Sequence, residues 1–274
     1  MALNQLVFLT DGTSASLAAL PDVGRLADAL DYRLAVLHLL DETGDSRGGD
    51  GRIAAALAAL PNPSGVLAVP EANLNPSLAT LAGATGGMVV LLPTRRGPIS
   101  RILVGNDYER LLREGPLPVL ALPASGRVPP IRQVLFPADF SPRSERHFDE
   151  TVELCRTLGA ELHVLHVYGA DGLLPYEQDL TRRAAVTVVR DLLTIDEERL
   201  AALMSRASAR GVPVRSKTAE GRAHAATLAY AAANAIDLIV MPSHGTRTSE
   251  DVFFGTTTVR VIQKADVPVL ALRA

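Results

Sequence analysis

Two aspartates and one glycine-bearing loop carry the residue types from which ligand chemistry can be built. Asp11 stands in Thr10-Asp11-Gly12-Thr13-Ser14 and Asp139 in Ala138-Asp139-Phe140-Ser141, each directly after a short apolar run. A carboxylate there accepts hydrogen bonds from a base amine or a ribose hydroxyl. It equally ends a strand and caps the helix that follows, and position alone leaves both uses open. The loop runs from Pro242 to Thr257 and contains Gly245 and Gly255-Thr256-Thr257. Glycine lets the backbone approach a ligand closely. A helix start offers free N–H groups and the positive end of the helix dipole, which suits phosphate. Thr256 and Thr257 add hydroxyl donors. A surface loop ending in a Gly-Thr helix cap has the same composition, so this loop too stays open on its own chemistry.

Other chemistry-bearing residues lead less far. Gly211-Val212-Pro213-Val214-Arg215-Ser216-Lys217-Thr218 misses the phosphate-binding G-x-x-x-x-G-K-[ST] pattern by one residue. It lies along an expected strand instead of following one, so the match reads as coincidence. The histidines His38, His147, His163, His166, His224 and His244 form no HExxH pattern and no Cys/His cluster, and no metal ligand is assigned. His38 and His166 end equivalent strands and read as structural. Cys155, the single cysteine, excludes an intrachain disulfide framework and fits a reducing compartment. Its place on an expected helix reads as buried.

The elements that must position these residues come in two sets. Gln5-Leu6-Val7-Phe8 recurs as Gln133-Val134-Leu135-Phe136, Asp11 as Asp139, and Leu34 to His38 as Leu162 to His166, all at an offset of 128. Val90 to Pro93 recurs as Ile239 to Pro242 at 149, and Pro118 to Leu122 as Pro268 to Leu272 at 150. The second copy therefore gains 21 residues around its second helix and one more in the glycine loop. The join falls at Gly126-Arg127-Val128-Pro129-Pro130, where Gly and Pro disfavour regular structure. This places two domains at 1–126 and 127–274. Apolar runs alternating with helical patterns indicate βαβ units and a parallel sheet. Strands are expected at 4–10, 33–39, 65–70, 87–92 and 117–122, then at 132–137, 161–167, 212–218, 237–242 and 267–272. Helices are expected at 51–60, 143–158, 180–210, 222–235 and 256–265. In open parallel sheets ligands bind beyond the carboxyl ends of the strands, which is where both aspartates and the glycine loop fall.

At this point the chain resembles the universal stress protein family, whose ATP-binding members carry G-x2-G-x9-G-[ST] in this loop. Gly245, nine residues, then Gly255-Thr256 fit the later part of that motif, and Pro242 stands where the first glycine belongs. Asp139, the HVLHV segment ending at Val167, and the closing DVPVLAL follow in the family's order. The resemblance covers both copies and points to a tandem member. It implies α/β architecture: two flavodoxin-like (adenine nucleotide alpha hydrolase-like) domains, each a five-stranded parallel sheet with helices on both faces, paired about a two-fold axis through the last strands. It implies ATP as ligand, with Mg2+ or Mn2+ as an accompanying cation. Asp139 and Val167 would face the nucleoside, and Gly245, Gly255, Thr256 and Thr257 the ribose and phosphates. Gly221 matches the family's usual glycine at the start of the third helix. Pro242 removes an N–H donor. In the first copy, Gly97 and Gly105 are separated by seven residues, and Asn106 replaces the hydroxyl residue. That copy is expected to bind ATP poorly or not at all, although Arg95, Arg96 and Arg101 could hold an anion.

Composition bounds the remaining classes. The chain has 274 residues, 47% hydrophobic and 21% charged, with a net charge of −3. That is ordinary globular composition without the basic balance that nucleic acid favours. No apolar run approaches the roughly 18 residues of a membrane span, and the N-terminus shows no secretory pattern. The expected protein is cytoplasmic, with an adenine nucleotide as partner, an intrachain pseudo-dimer and scope for a homodimer. The expected function is a stress-response protein that binds ATP in its second domain for regulation, with at most slow hydrolysis. The alternative is a scaffold or interaction module of the same fold that binds no nucleotide.

Overall fold

In the computed structural model the described residues are 5–40, 49–58, 60, 63–70, 73–74, 76–78, 80, 87–92, 117–168, 182–242 and 256–273. They form an α/β structure around one ten-stranded sheet. The strands are β1 (Gln5–Thr10), β2 (Arg33–Leu40), β3 (Pro63–Pro70), β4 (Met88–Leu91), β5 (Val119–Ala121), β6 (Gln133–Ala138), β7 (Glu161–Tyr168), β8 (Val214–Glu220), β9 (Leu238–Met241) and β10 (Val269–Ala271). The helices are α1 (Ser14–Leu17), α2 (Leu20–Leu30), α3 (Gly49–Ala58), α4 (Pro142–Leu158), α5 (Arg182–Ala209), α6 (Ala223–Ala233) and α7 (Thr256–Lys264).

The strand order is β3-β2-β1-β4-β5-β10-β9-β6-β7-β8. Read outward from the centre, both halves have the same order. All pairs within each half are parallel, and the central β5–β10 pair is antiparallel. Buried runs such as Leu6 to Leu9 and Leu238 to Met241 reflect a sheet covered on both faces. One core packs Phe8, Val36, Leu120, Phe136, Val164 and Leu270 beneath α2, α4 and α5. The other packs Val7, Leu37, Leu135, Leu165, Val261 and Val269 on the opposite face. Each core runs through both halves.

Local chemistry sets the helix ends. Ser141 caps α4 by accepting from Ser144 N at 3.1 Å, and Pro142 opens its first turn. Ser144, His147, Phe148, Thr151, Val152 and Cys155 make the buried stripe of α4 at helical spacing. Gly159 ends it at φ 64 and Gly211 follows α5 at φ 76, the left-handed positions that glycine takes without strain. In the first half, α1 and α2 fill the place of α4 with a break at Ala18 and Ala19, for which the sequence reading gives no range. α3 lies two residues earlier than expected. β8 begins two residues later than expected, because Pro213 has no N–H to give the ladder. β8 also alternates exposed and half-buried residues, as an edge strand does.

Candidate functional site

Because the strands of the second half are parallel, Asp139 after β6, Val167 near the end of β7, Gly221 after β8 and Pro242 after β9 all fall on one edge of the sheet. The order β10-β9-β6-β7-β8 makes the gap between β6 and β9 the topological switch point. A crossover helix returns antiparallel to its strands, so the first turn of α7, with Thr256 and Thr257, starts from the same edge. Gly245 and Gly255 lie outside the described residues, as does the first copy's loop with Gly97, Gly105 and Asn106.

Asp139 is exposed, and its Oδ1 accepts from Ser141 N at 3.0 Å. It thus shapes the turn, while Ser141 caps α4. In both halves the cap falls two residues beyond the strand-end aspartate, since Thr13 caps α1 and Asp11 Oδ1 accepts from Thr13 N at 3.1 Å and Thr13 Oγ1 at 2.7 Å. Asp11 is more enclosed, and its buried Oδ2 has no partner. In each turn one carboxylate oxygen is engaged and the other remains for a donor.

Val167 is half-buried, registers with Ala219 of β8, and packs toward the core beneath α6 and α7. Gly221 has φ 130, and its N–H donates to Tyr168 O at 2.9 Å. A Cβ there would meet nothing within 4 Å, so conformation alone demands glycine. The next residue, Arg222, is the N-cap of α6 and makes no side-chain capping bond, which leaves N–H groups at that helix start for another acceptor. His224, in the first turn of α6, has its ring pKa lowered, first by desolvation and then by Arg260, Lys264 and Arg222. Those cations make the surroundings of α6 and α7 positive, which favours an anionic ligand. Thr256 is exposed and Thr257 half-buried. Thr258, which the sequence reading does not name, is fully buried with no partner for Oγ1. It lies on the stripe with Val261 and Ile262 that α7 turns inward.

The sequence reading also misses a cluster around the Asp139 turn. His166 lies two residues before the end of β7, and its ring bonds Ala138 O at 2.9 Å and stands 3.1 Å from Asp196 Oδ2. The Phe140 ring lies over it, with centroids 4.4 Å apart. One signal was available: Phe140 occupies the place of Gly12 at the 128 offset. Among the described residues no group of three or more His, Cys, Asp and Glu gathers to hold a metal. No described helix is long and apolar enough to cross a membrane.

In each half a doubly wound parallel sheet with a switch point defines the class, an open α/β fold. The model of the universal stress protein family matches residues 130–273, just over half of the chain, and the chain belongs to that family. A universal stress protein of Synechocystis sp. is 25% identical over 199 residues, covering 72% of this chain and 62% of its own length. The chain thus matches somewhat under two thirds of that relative. The fold is similar to the crystal structure of a universal stress protein from Archaeoglobus fulgidus, with TM-score 0.66 and 19% identity over 98% of this chain and 96% of that one. It is also similar to a functionally unknown protein from Pseudomonas aeruginosa PAO1, with TM-score 0.69 and 14% identity over 99% of this chain and 92% of that one.

Proposed function

We propose that the chain is a stress-response protein of two domains, 1–126 and 127–274, joined as an intrachain pseudo-dimer, which binds ATP in the second domain for regulation. The observation that carries this reading is the switch point between β6 and β9. There the Asp139 carboxylate and the first turn of α7 share one edge of the sheet, so a group that accepts a base or ribose donor stands beside a helix start that suits phosphate.

The residues present fit an adenine nucleotide. Asp139 supplies an acceptor for the nucleoside, the β7 backbone at Val167 supplies further edge groups, and Gly221 keeps the turn after β8 free of a side chain. Thr256 and Thr257 supply hydroxyls to phosphate, with Gly245 and Gly255 allowing close backbone approach. Arg222, Arg260 and Lys264 raise the positive potential around them. A Mg2+ or Mn2+ ion would be carried by the phosphates. These residues include no general base aimed at an attacking water, so hydrolysis is at most slow. Pro242 favours the scaffold reading, since it withholds one backbone donor from the loop.

Calorimetry with ATP and Mg2+ separates these readings. The parent and Gly105→Asp should bind in the micromolar range, and Gly255→Asp should not, because its carboxylate repels phosphate. Equal loss from both variants would remove the assignment to the second domain. No binding by the parent with either cation, and no nucleotide released on denaturation, would leave the scaffold.

A further inference from the structure

The turn that carries Asp139 is held in a way that the turn carrying Asp11 is not. Phe140 and Gly12 are counterparts at the 128 offset, and both backbones are left-handed, with φ 56 and φ 70. Glycine adopts that conformation freely, but a bulky residue there is an outlier. Such a residue persists only when its surroundings over-determine it. Here the Phe140 ring stacks on His166 with a tilt of 35°, and the Arg199 guanidinium carbon lies 5.8 Å from its centroid. His166 Nδ1–H donates to Ala138 O at 2.9 Å, and Nε2 lies 3.1 Å from Asp196 Oδ2. One imidazole therefore holds the residues on both sides of Asp139. That imidazole is in turn held by α5, which has 28 residues where α3 has 10.

Both ring nitrogens of His166 face acceptors. A neutral imidazole has one N–H, so only the doubly protonated ring donates to the carbonyl and the carboxylate together. In the neutral ring one nitrogen lone pair would point at an oxygen. Among the described residues, the charged groups seen against this cluster are Asp196 and Arg199 from α5, with Asp139 on the turn itself. β8 places uncharged Thr218 opposite His166. The ring is largely buried, so solvent screens the Asp196 contact weakly.

We propose that His166 and Phe140 are positioning residues for the Asp139 turn, and that the His166–Asp196 contact sets how tightly this turn holds a nucleoside. This rests on the nucleotide reading above and adds its support: α5 holds the imidazole, and the imidazole holds the backbone on both sides of Asp139. The extra length of α5 supplies the residues that close this latch.

The test measures affinity for adenosine in the parent, Asp196→Ala and Asp196→Asn. Asp196→Ala should bind about tenfold more weakly, the scale of a hydrogen bond to a charged group. Asp196→Asn should recover most of that loss, because its amide oxygen still accepts from Nε2–H. Full affinity in Asp196→Ala, or equal loss in both variants, would overturn the proposal. If the parent binds neither ATP nor adenosine, the nucleotide reading fails and the latch is judged alone. Backbone amide NMR shifts of Asp139 to Ser141 should then differ from the parent in Asp196→Ala and return toward it in Asp196→Asn. Shifts unchanged in Asp196→Ala would overturn it.

Discussion

Leu120 of β5 lies directly opposite Leu270 of β10, its own counterpart at the 150 offset. The neighbouring pairs, Val119 with Ala271 and Ala121 with Val269, obey the same exchange. A contact in which residue i meets j and j meets i is the mark of a two-fold relation, and here it is made within one chain. Leu120 and Leu270 are each 2% exposed and share one core.

Leu120→Ala and Leu270→Ala should therefore destabilise by similar amounts, about 2–5 kcal/mol each. The double variant should differ from their sum by about 0.5–3 kcal/mol, as for residues in contact. Equilibrium urea unfolding of the four proteins measures this. Additive losses would show that the two leucines do not share a packing environment.

Gly221 turns the chain from β8 into α6 at φ 130 with open space around its Cα. Gly221→Ala should cost about 1–3 kcal/mol through backbone strain alone. Gly51→Ala is the control, a helical glycine also free of neighbours, and there alanine should gain about 0.5–1 kcal/mol. Thermal unfolding midpoints should move in opposite directions. A neutral Gly221→Ala would mean that the turn relaxes to another conformation.

Much of the architecture was legible because the strands are short apolar runs bounded by Gly and Pro, and because Gln133 to Phe136 repeats Gln5 to Phe8. The edge holding Asp139, Val167 and Gly221 followed from strand order. What stayed hidden depends on contacts between distant segments. Nothing near Phe140 in sequence announces that His166, 26 positions on, and Asp196, a further 30, will close around it. The start of β8 was misplaced because Val212 is apolar and buried, although Pro213 keeps it out of the ladder. Position alone leaves Asp139 open between ligand contact and cap, and the cap falls to Ser141, since both residue types satisfy the same preference.

Asp22 ties the join between the two halves to α2. Its Oδ2 accepts from Val128 N at 2.9 Å, and Arg127 Nε lies 3.4 Å away. Arg127 is otherwise exposed. Asp22→Ala leaves the Val128 N–H without its acceptor, at a cost of about 1–3 kcal/mol. It should also quicken tryptic cleavage after Arg127, by about tenfold or more where local opening governs cutting. Digestion of folded parent and variant followed by mass spectrometry reads the site. Unchanged cutting after Arg127 would show that the linker is held by other contacts.

His163 sets the acid limit that this fold can be expected to show. Its ring lies between Gln133 Oε1 at 2.6 Å and the Tyr230 hydroxyl at 3.0 Å. With Nε2–H donating to the amide oxygen and Tyr230 O–H donating to Nδ1, the neutral ring satisfies every group. Desolvation lowers the pKa of His163, against a smaller opposing effect of Glu161. The unfolded chain therefore binds a proton near pH 6.5 that the folded protein refuses. Stability from this group is complete above the unfolded pKa, and it declines as pH falls from about 6.5 toward the lower folded value. Glu161, whose pKa is lowered chiefly by its bond to Arg215, adds a second loss only below about pH 4.5. Urea midpoints should thus fall as pH drops below about 6.5 in the parent, and the slope should lessen in His163→Gln. A variant with the parent's full slope in that window would shift the acid sensitivity to another histidine.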